Sequence, residues 1–169
     1  MKCTGANLAD ATKFSSIIDQ VFIEFDVNTK LRKAMFLAQI GHESGGLHRV
    51  KEIWGPTETQ KGYEGRTDLG NTIPGDGKKF MGRGLLQVTG RVNYLKIGKA
   101  LNLDLISSPE LLEQPLNAAR SAGYFWKFNN LNSISDTGDI KLATKRINGG
   151  YNGLSERTTL YTRALSVLE

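Results

Sequence analysis

The 169-residue sequence predicts a mainly α-helical protein of one domain, interrupted by one glycine-rich segment with weak β character. Apolar residues recur at spacings of three and four in several segments, which is typical of helices with one buried face. Glycine makes up 19 of the 169 residues and is concentrated between Gly41 and Gly90. With 39% hydrophobic and 23% charged residues, the chain has a globular composition and enough length to bury a core.

The first two helices are predicted from apolar runs with helical spacing. Phenylalanine, isoleucine and valine recur every three or four residues between Phe14 and Phe25, and an Asp-Val-Asn break follows. Asn28 or Thr29 is expected to cap a second helix, from Leu31 to about Glu43. That helix is apolar over much of its circumference, so we expect it to be central and buried.

The segment from about residue 50 to residue 90 differs, because glycine and proline interrupt every pattern in it. It is predicted to be loop-rich, with a short β-hairpin, and to carry the binding surface. Neither internal repeats nor a linker divide the chain, so residues 1–169 are expected to form a single domain. Further helices are predicted to begin near Val92, Pro109, Pro115, Asp139 and Ser155.

A surplus of basic residues indicates which class of partner the protein binds. The net charge is +5 and the pI is near 9.4, which suits an acidic polymer such as a cell wall, a nucleic acid or a membrane surface. The single cysteine, Cys3, excludes an intrachain disulfide. No run approaches about 18 apolar residues, and the first residues lack a secretory pattern. We therefore expect synthesis in the cytoplasm and no stable membrane insertion.

Common metal and nucleotide motifs are absent from the sequence. His42-Glu43 lacks the second histidine of a zinc protease helix, since the next one, His48, comes two positions too late. The glycine-rich runs near residues 75 and 82 match neither a phosphate loop nor a dinucleotide-binding turn. No metal or organic cofactor is therefore expected.

Glu43 is the first candidate for catalysis. It closes the predicted buried helix, where partial desolvation and the negative end of the helix dipole both favour the protonated carboxyl. A protonated carboxyl is what a general acid needs at neutral pH. Spacing alone equally allows a structural glutamate that reaches solvent or pairs with a lysine.

Glycoside hydrolysis needs a second carboxylate. Glu52 lies nine residues after Glu43, and Glu64 lies 21 residues after it. Either can face Glu43 across a cleft, and Asp68 and Asp76 are weaker candidates in the same region. Taken singly, each of these carboxylates also fits an exposed loop charge.

The run from Gly75 to Tyr94 supplies neutral polar groups. Its glycines permit tight turns and close approach of a ligand. Gln87, Thr89 and Asn93 are side chains of the kind that bind sugar hydroxyls and amides, and Thr89 can hold a water. A glycine-rich turn that leads into a helix is the alternative interpretation.

Several separated motifs occur together in one order. They are HESGG at residues 42–46, WGPT at 54–57 with a glutamine at 60, YEGRTDLGN at 63–71, PGDG at 74–77, GRGLLQVTG at 82–90, Asn93-Tyr94, and INGG at 147–150. Over roughly residues 30–168 the sequence resembles the family-19 glycoside hydrolases, the plant-type chitinase family. It is most similar to the endolysin branch found in phages, prophages and phage-tail-like bacteriocin clusters.

The resemblance implies a lysozyme-like, two-lobed fold whose cleft binds the glycan strands of peptidoglycan. It implies hydrolysis of the β-1,4 bond between N-acetylmuramic acid and N-acetylglucosamine, with Glu43 as general acid, Glu52 as general base and Thr89 holding the water. Glu64 stays open as an alternative base, because the second acid of the chitinases lies further along. Arg157 matches an arginine that orients the catalytic carboxylates. The substrate-binding positions implied are His42, Gln87, Asn93, Tyr94, Asn148 and Arg157.

The sequence also departs from the plant chitinases, which carry disulfides, a serine in place of Thr89 and a glutamate soon after INGG. The acid and base pair predicts an inverting mechanism, which needs about 6.5–9.5 Å between the carboxyl groups; about 5 Å would favour a retaining one.

Other functions stay open from the sequence. A chitinase would use the same chemistry on N-acetylglucosamine polymers, a lytic transglycosylase needs one essential glutamate, and a glycan-binding module needs none.

We expect a monomer without a nucleic-acid partner. It would act on the periplasmic cell wall in host lysis, after release through a separate holin.

Overall fold

The computed structural model describes residues 1–168 and is mainly helical, which confirms the predicted fold class. Short 3-10 turns at Thr67–Leu69 and Pro109–Glu113 supplement the α-helices. Within the described residues, β-structure is limited to isolated bridges that pair Arg83 with Lys51 and with Val88. The helices are α1 (Leu8–Glu24), α2 (Lys30–Glu43), α3 (Glu58–Lys61), α4 (Asp76–Lys79), α5 (Arg91–Leu101), α6 (Pro115–Phe128), α7 (Leu131–Asp136), α8 (Ile140–Asn148) and α9 (Leu154–Val167).

The chain divides into two compact units. The first unit comprises Met1–His48 and the chain from Ala122 onward, and the second comprises Arg49–Ser121. Glu43 therefore belongs to the first unit, and Glu52 belongs to the second. The single domain expected from the sequence stays a prediction.

The first unit is built around α2, as the sequence predicted. The hydroxyl of Thr29 begins this helix by accepting from the backbone N–H of Arg32 at 3.2 Å, and residues 34–41 are all buried. Helix α2 contacts α7, α8 and α9. The ring of Phe36 meets those of Phe22 and Trp126 edge-on, with centres 5.8 and 5.0 Å apart. This close packing restricts the movement of α2 and so of the residues at its C-terminal end.

The second unit contains the glycine-rich segment, which forms short helices and turns. The weak β-structure predicted there consists of isolated antiparallel bridges, one of which joins Arg83 and Val88, whose backbone groups exchange hydrogen bonds at 3.0 and 2.7 Å. Helix α3 packs against α4, and α5 packs against the turn Thr67–Leu69. The carboxylate of Glu64 accepts from the backbone N–H groups of Gly75 at 2.6 Å and Gly77 at 2.8 Å. The side chain of Glu64 therefore closes the loop that runs from Glu64 to Gly77. Strand pairing does not close this loop, because frequent glycine and proline disfavour strands.

Two further observations complete the fold. Helix α7 is not predicted by the sequence analysis, because its six residues span less than two turns. In residues 1–168, no helix combines the length and apolar character needed to cross a bilayer.

Candidate active site

Glu43 is the last residue of α2. Its carboxylate forms an ion pair with the guanidinium of Arg157, which lies in the first turn of α9. The two side chains differ in exposure, since that of Arg157 is 1% exposed and that of Glu43 is 21% exposed. A buried cation thus holds a carboxylate that a ligand can still reach.

Arg157 is fixed by a buried polar network in the first unit. Its Nη1 donates to the side-chain oxygen of Gln39, and its Nε donates to the backbone oxygen of Asn152 at 3.1 Å. The amide of Gln39 in turn donates to the hydroxyl of Thr144 at 3.3 Å. Because a buried guanidinium is costly unless its donors are paired, these contacts select one orientation of Arg157.

His42 packs against the start of α9. Its Nδ1 lies 2.8 Å from a carboxylate oxygen of Glu156. A methyl group added to Gly153 would lie 2.1 Å from Cε1 of His42, and Gly153 has a φ of +70°, so only glycine fits there. Through these contacts His42 links the end of α2 to the N-terminus of α9, the helix that carries Arg157. Its side chain is 22% exposed, so direct contact with a substrate stays a prediction.

Glu52 is held through both of its carboxylate oxygens in the second unit. Oε1 accepts from the backbone N–H of Gly82 at 2.5 Å, and Oε2 accepts from the side-chain amide of Gln60 at 3.1 Å. The backbone N–H of Glu52 also donates to the carbonyl of Gly82 at 2.9 Å. The side chain is partly exposed. Glu52 is therefore fixed in orientation but open to a ligand.

The orientation of Gln60 is set by its other contacts. Gln60 is buried, and its side-chain oxygen accepts from the backbone N–H groups of Gly55 at 3.0 Å and Thr57 at 2.8 Å. The amide nitrogen must then point the other way, where it donates to Glu52 and to the carbonyl of Ile53 at 2.8 Å. Gln60 belongs to the motif at residues 54–60, but its position in that motif does not by itself predict a role for it.

Three of the predicted site residues meet at Gly82. A methyl group added there would lie 2.8 Å from Oε1 of Gln87 and 3.4 Å from both Oε1 of Glu52 and Oγ1 of Thr89. The hydroxyl of Thr89 donates to the carbonyl of Gln87 at 3.1 Å, which leaves its lone pairs available to a water. Asn93 is exposed and donates to the carbonyl of Thr89 at 2.8 Å. The structure therefore brings Gln87, Thr89 and Asn93 to the same part of the second unit as Glu52.

Two half-buried aromatic rings lie in the same part of the second unit. The ring centres of Trp54 and Tyr63 are 6.3 Å apart. Burial raises the pKa of the Tyr63 hydroxyl, and the charge of Glu52 and a hydrogen bond to it raise that pKa further. Tyr63 therefore keeps its proton at neutral pH and serves as a donor beside Glu52.

The predicted role of Tyr94 in substrate binding is wrong. Tyr94 is fully buried. Its hydroxyl donates to the carbonyl of Met81 at 2.6 Å and accepts from Nη1 of Arg83 at 3.0 Å. Burial raises the pKa of this hydroxyl strongly, so it is a permanent donor. Tyr94 belongs to the core that supports the glycine-rich segment, and a sugar cannot reach it.

One other predicted role changes. Arg157 was grouped with the substrate-binding positions, but its buried guanidinium contacts Glu43 and positions that carboxylate. Glu64, the alternative base, closes a loop because both of its oxygens accept from loop amides. Both oxygens of Glu52 also accept hydrogen bonds, so the choice between the two as base stays a prediction. Asn148 ends α8 in an exposed position, where a role in sugar binding stays a prediction.

Arg83 is a buried charge that the sequence analysis did not assign to the site. Its Nε lies 2.7 Å from a carboxylate oxygen of Glu113, and its Nη1 donates to the carbonyl of Lys79 at 2.9 Å. Its two neighbours, Gly82 and Gly84, lie against the strand-like residues near Glu52. In the sequence, the signal for such a role is an arginine that stands between two glycines. Its side chain can anchor a stretch of backbone that must lie close to neighbouring residues.

The groups available for chemistry are carboxylates. In the described part of the chain, no three histidine, cysteine, aspartate or glutamate side chains gather in a way that could hold a metal ion. The two carboxylates held by hydrogen bonds and partly exposed, Glu43 and Glu52, are the residue type that glycosidic bond cleavage requires.

Comparison with known proteins identifies the family. Residues 6–144 match the family described as chitinase class I, glycosyl hydrolase family 19. A Haemophilus influenzae protein named as a glycosyl hydrolase family 19 domain-containing protein is 38% identical over 168 residues, which cover 83% of this chain and 81% of that protein. The chain belongs to glycoside hydrolase family 19. It is therefore a glycoside hydrolase related to the chitinases.

Relatives and solved structures extend the comparison. Acidic endochitinase SP2 of Beta vulgaris is 30% identical over 150 residues, which cover 87% of this chain but 51% of that protein, so the chain spans about half of that plant relative. Chitinase C of Streptomyces griseus has a TM-score of 0.69 at 24% identity, covering 98% of this chain and 73% of the other. A bacterial family 19 chitinase has a TM-score of 0.72 at 21% identity, covering 96% and 94%. These structures confirm the predicted lysozyme-like fold class.

Proposed function

We propose that this family-19 hydrolase is an endolysin-type lysozyme. It would hydrolyse the β-1,4 bond between N-acetylmuramic acid and N-acetylglucosamine in peptidoglycan, with Glu43 as general acid and Glu52 as general base. The observation that carries the proposal is the partly exposed carboxylate of Glu43 on the buried guanidinium of Arg157.

Glu43 would donate its proton to the glycosidic oxygen as the bond from that oxygen to the anomeric carbon breaks. Proton transfer leaves a carboxylate on Glu43. The fixed positive charge of Arg157 stabilises the carboxylate that proton transfer leaves, and the same ion pair opposes the protonated carboxyl that the sequence position led us to expect. Since the guanidinium is held by Gln39 and Asn152, it needs no rearrangement during the reaction.

Glu52 would take a proton from a water whose oxygen then bonds to the anomeric carbon. Attack on the face opposite the leaving group inverts the configuration at that carbon. The hydroxyl of Thr89 has free lone pairs to orient the water, and Gly82 and Gln60 keep the base in one orientation.

Peptidoglycan is favoured as the polymer by two features of the sequence. The motifs at residues 54–57, 63–71 and 74–90 resemble those of the endolysin branch, and the net charge of +5 suits an anionic wall. Chitin is the second candidate, because relatives such as that from Beta vulgaris are named endochitinases.

We also propose that the enzyme lyses a bacterial host as a monomer, reaching the wall after a separate holin permeabilises the membrane. Expression in the bacterial cytoplasm with and without a membrane-permeabilising protein tests this. Lysis is expected only with the helper, and equal lysis without it would contradict the release route.

The function is tested by mass spectrometry of the fragments released from purified Gram-negative peptidoglycan. The wild type is expected to give fragments with hydrated reducing N-acetylmuramic acid ends. Glu43→Gln should lose activity by roughly a hundredfold or more, whereas Glu110→Gln, which changes an exposed glutamate of the second unit, should not.

Other reaction products would indicate other functions. Anhydro ends would show a transglycosylase and remove the role of Glu52, and reducing N-acetylglucosamine ends would move cleavage to the other linkage. Release from chitin oligomers but not from peptidoglycan would establish the chitinase. Binding to either polymer without any fragments would establish a glycan-binding module.

A further inference from the structure

The turn between α8 and α9 presents an exposed aromatic side chain that the proposed mechanism does not use. Tyr151 in this turn is 49% exposed. The ammonium nitrogen of Lys141, an exposed residue of the first turn of α8, lies 5.2 Å from the centre of the Tyr151 ring. The pair therefore offers an exposed aromatic ring with a positive charge lying over it.

Glycines in the left-handed region and a backbone hydrogen bond shape the turn that contains Tyr151. Gly149 ends α8 with a φ of +78°, and Gly153 precedes α9 with a φ of +70°. The carbonyl of Tyr151 accepts from the backbone N–H of Leu154 at 3.1 Å. Gly153 also packs on His42, which fixes the end of the turn that leads into α9.

The same turn is connected to the proposed acid. The carbonyl of Asn152, the residue after Tyr151, accepts from Nε of Arg157 at 3.1 Å, and the same guanidinium binds Glu43. Asn148, the exposed residue at the end of α8, lies three positions before Tyr151. The backbone that follows Tyr151 is therefore linked to Glu43 through the guanidinium of Arg157.

We propose that Tyr151 and Lys141 form a subsite for a muramoyl residue that carries its acidic peptide stem. The ring of Tyr151 would pack on the apolar face of the pyranose, and the ammonium of Lys141 would pair with a carboxylate of the stem. Chitin has no carboxylates, so this subsite would favour peptidoglycan over chitin. The proposal rests on the proposed function.

The test compares native peptidoglycan sacculi with sacculi whose carboxyl groups have been converted to neutral methylamides. The rate of appearance of reducing ends is measured for the wild type, Lys141→Met and Lys99→Met. The control Lys99→Met removes the same charge from an exposed position on α5. We expect Lys141→Met to be roughly threefold to fivefold slower than the wild type on native sacculi and equal to it on amidated sacculi. Lys99→Met should match the wild type on both.

Variants of Tyr151 test the stacking contact. Tyr151→Ala is expected to lose roughly tenfold in kcat/KM on both kinds of sacculi, and Tyr151→Phe should keep the wild-type value. An equal loss of Lys141→Met on both walls, no loss on native walls, or an equal effect of Lys99→Met would overturn the subsite while leaving the proposed function standing. A wild type that releases nothing from native sacculi would overturn the proposed function itself.

Discussion

The side-chain amide of Gln60 donates to Oε2 of Glu52 at 3.1 Å, while the other end of the same side chain accepts from two backbone N–H groups. The amide cannot turn over without facing its NH₂ group toward those N–H donors and its oxygen toward the carboxylate. Gln60 therefore positions Glu52 through a contact whose polarity is fixed. This contact allows the role of Glu52 to be tested without changing Glu52.

Gln60→Glu is expected to move the acidic limb of the kcat/KM profile upward by about one pH unit or more. The new carboxylate keeps the acceptor for Gly55 and Thr57 but places a second negative charge beside Glu52, and two such carboxylates share a proton. The measurement is the pH dependence of kcat/KM for release of reducing ends. Gln20→Glu, at an exposed position on α1, adds the same charge and should leave the profile unchanged. A Gln60→Glu profile that matches the wild type would mean that Glu52 is not the base.

Gly153→Ala is expected to destabilise the protein more than Gly149→Ala does. Both glycines have positive φ, at +70° and +78°, so alanine is strained at either position by about 1 kcal/mol. At Gly153 the new methyl group would also lie 2.1 Å from the His42 ring, whereas at Gly149 nothing lies within 4 Å. Urea unfolding of both variants checks this difference.

A second comparison separates the clash from the backbone strain. His42→Ala combined with Gly153→Ala removes the ring that the methyl group meets, so the double variant should recover part of the stability lost by Gly153→Ala. Additive losses would show that the contact between His42 and Gly153 does not matter for stability.

The sequence predicts the first unit well because its signals are local. Apolar spacing locates α1 and α2, and the threonine at position 29 provides the cap that the structure shows. The contact between Glu43 and Arg157 joins residues 114 positions apart. No periodicity predicts it, and here only the family resemblance pointed to Arg157.

The second unit is predicted less well because its contacts come from single side chains. Glu64 closes a loop through backbone amides, and Gln60 orients Glu52 through backbone groups that any residue type would provide. Tyr94 belongs to a quoted motif, yet its place in the core depends on packing against Phe80, with ring centres 5.2 Å apart. Proximity in a motif therefore located the site but did not separate residues that contact a ligand from those that support them.

Asp10→Asn is expected to reduce the acid sensitivity of the fold. The Lys13 ammonium and a hydrogen bond with His48 lower the pKa of the Asp10 carboxyl to about 2. Its value in the unfolded chain is near 3.9, so the ionised carboxylate contributes its full stabilisation above about pH 4 and loses it as the pH falls toward 2.

Urea midpoints measured from pH 5 to pH 2 check this expectation. The midpoint should fall less steeply for Asp10→Asn than for the wild type. Asp19→Asn, at an exposed position on the same helix, should follow the wild-type slope. Parallel curves for the wild type and Asp10→Asn would show that another carboxylate dominates the acid response.

Tyr94→Phe is expected to lower the free energy of unfolding by about 1–3 kcal/mol without changing the KM for glycan fragments. The substitution leaves the carbonyl of Met81 and Nη1 of Arg83 without their hydroxyl partner in a buried place, which accounts for the loss of stability. The measurements are urea unfolding and steady-state kinetics on the same preparations. Tyr124→Phe, which removes a hydroxyl from a half-exposed ring, sets the baseline. A tenfold rise in KM with unchanged unfolding would instead mean that Tyr94 contacts the sugar, and the core position derived from its burial would be wrong.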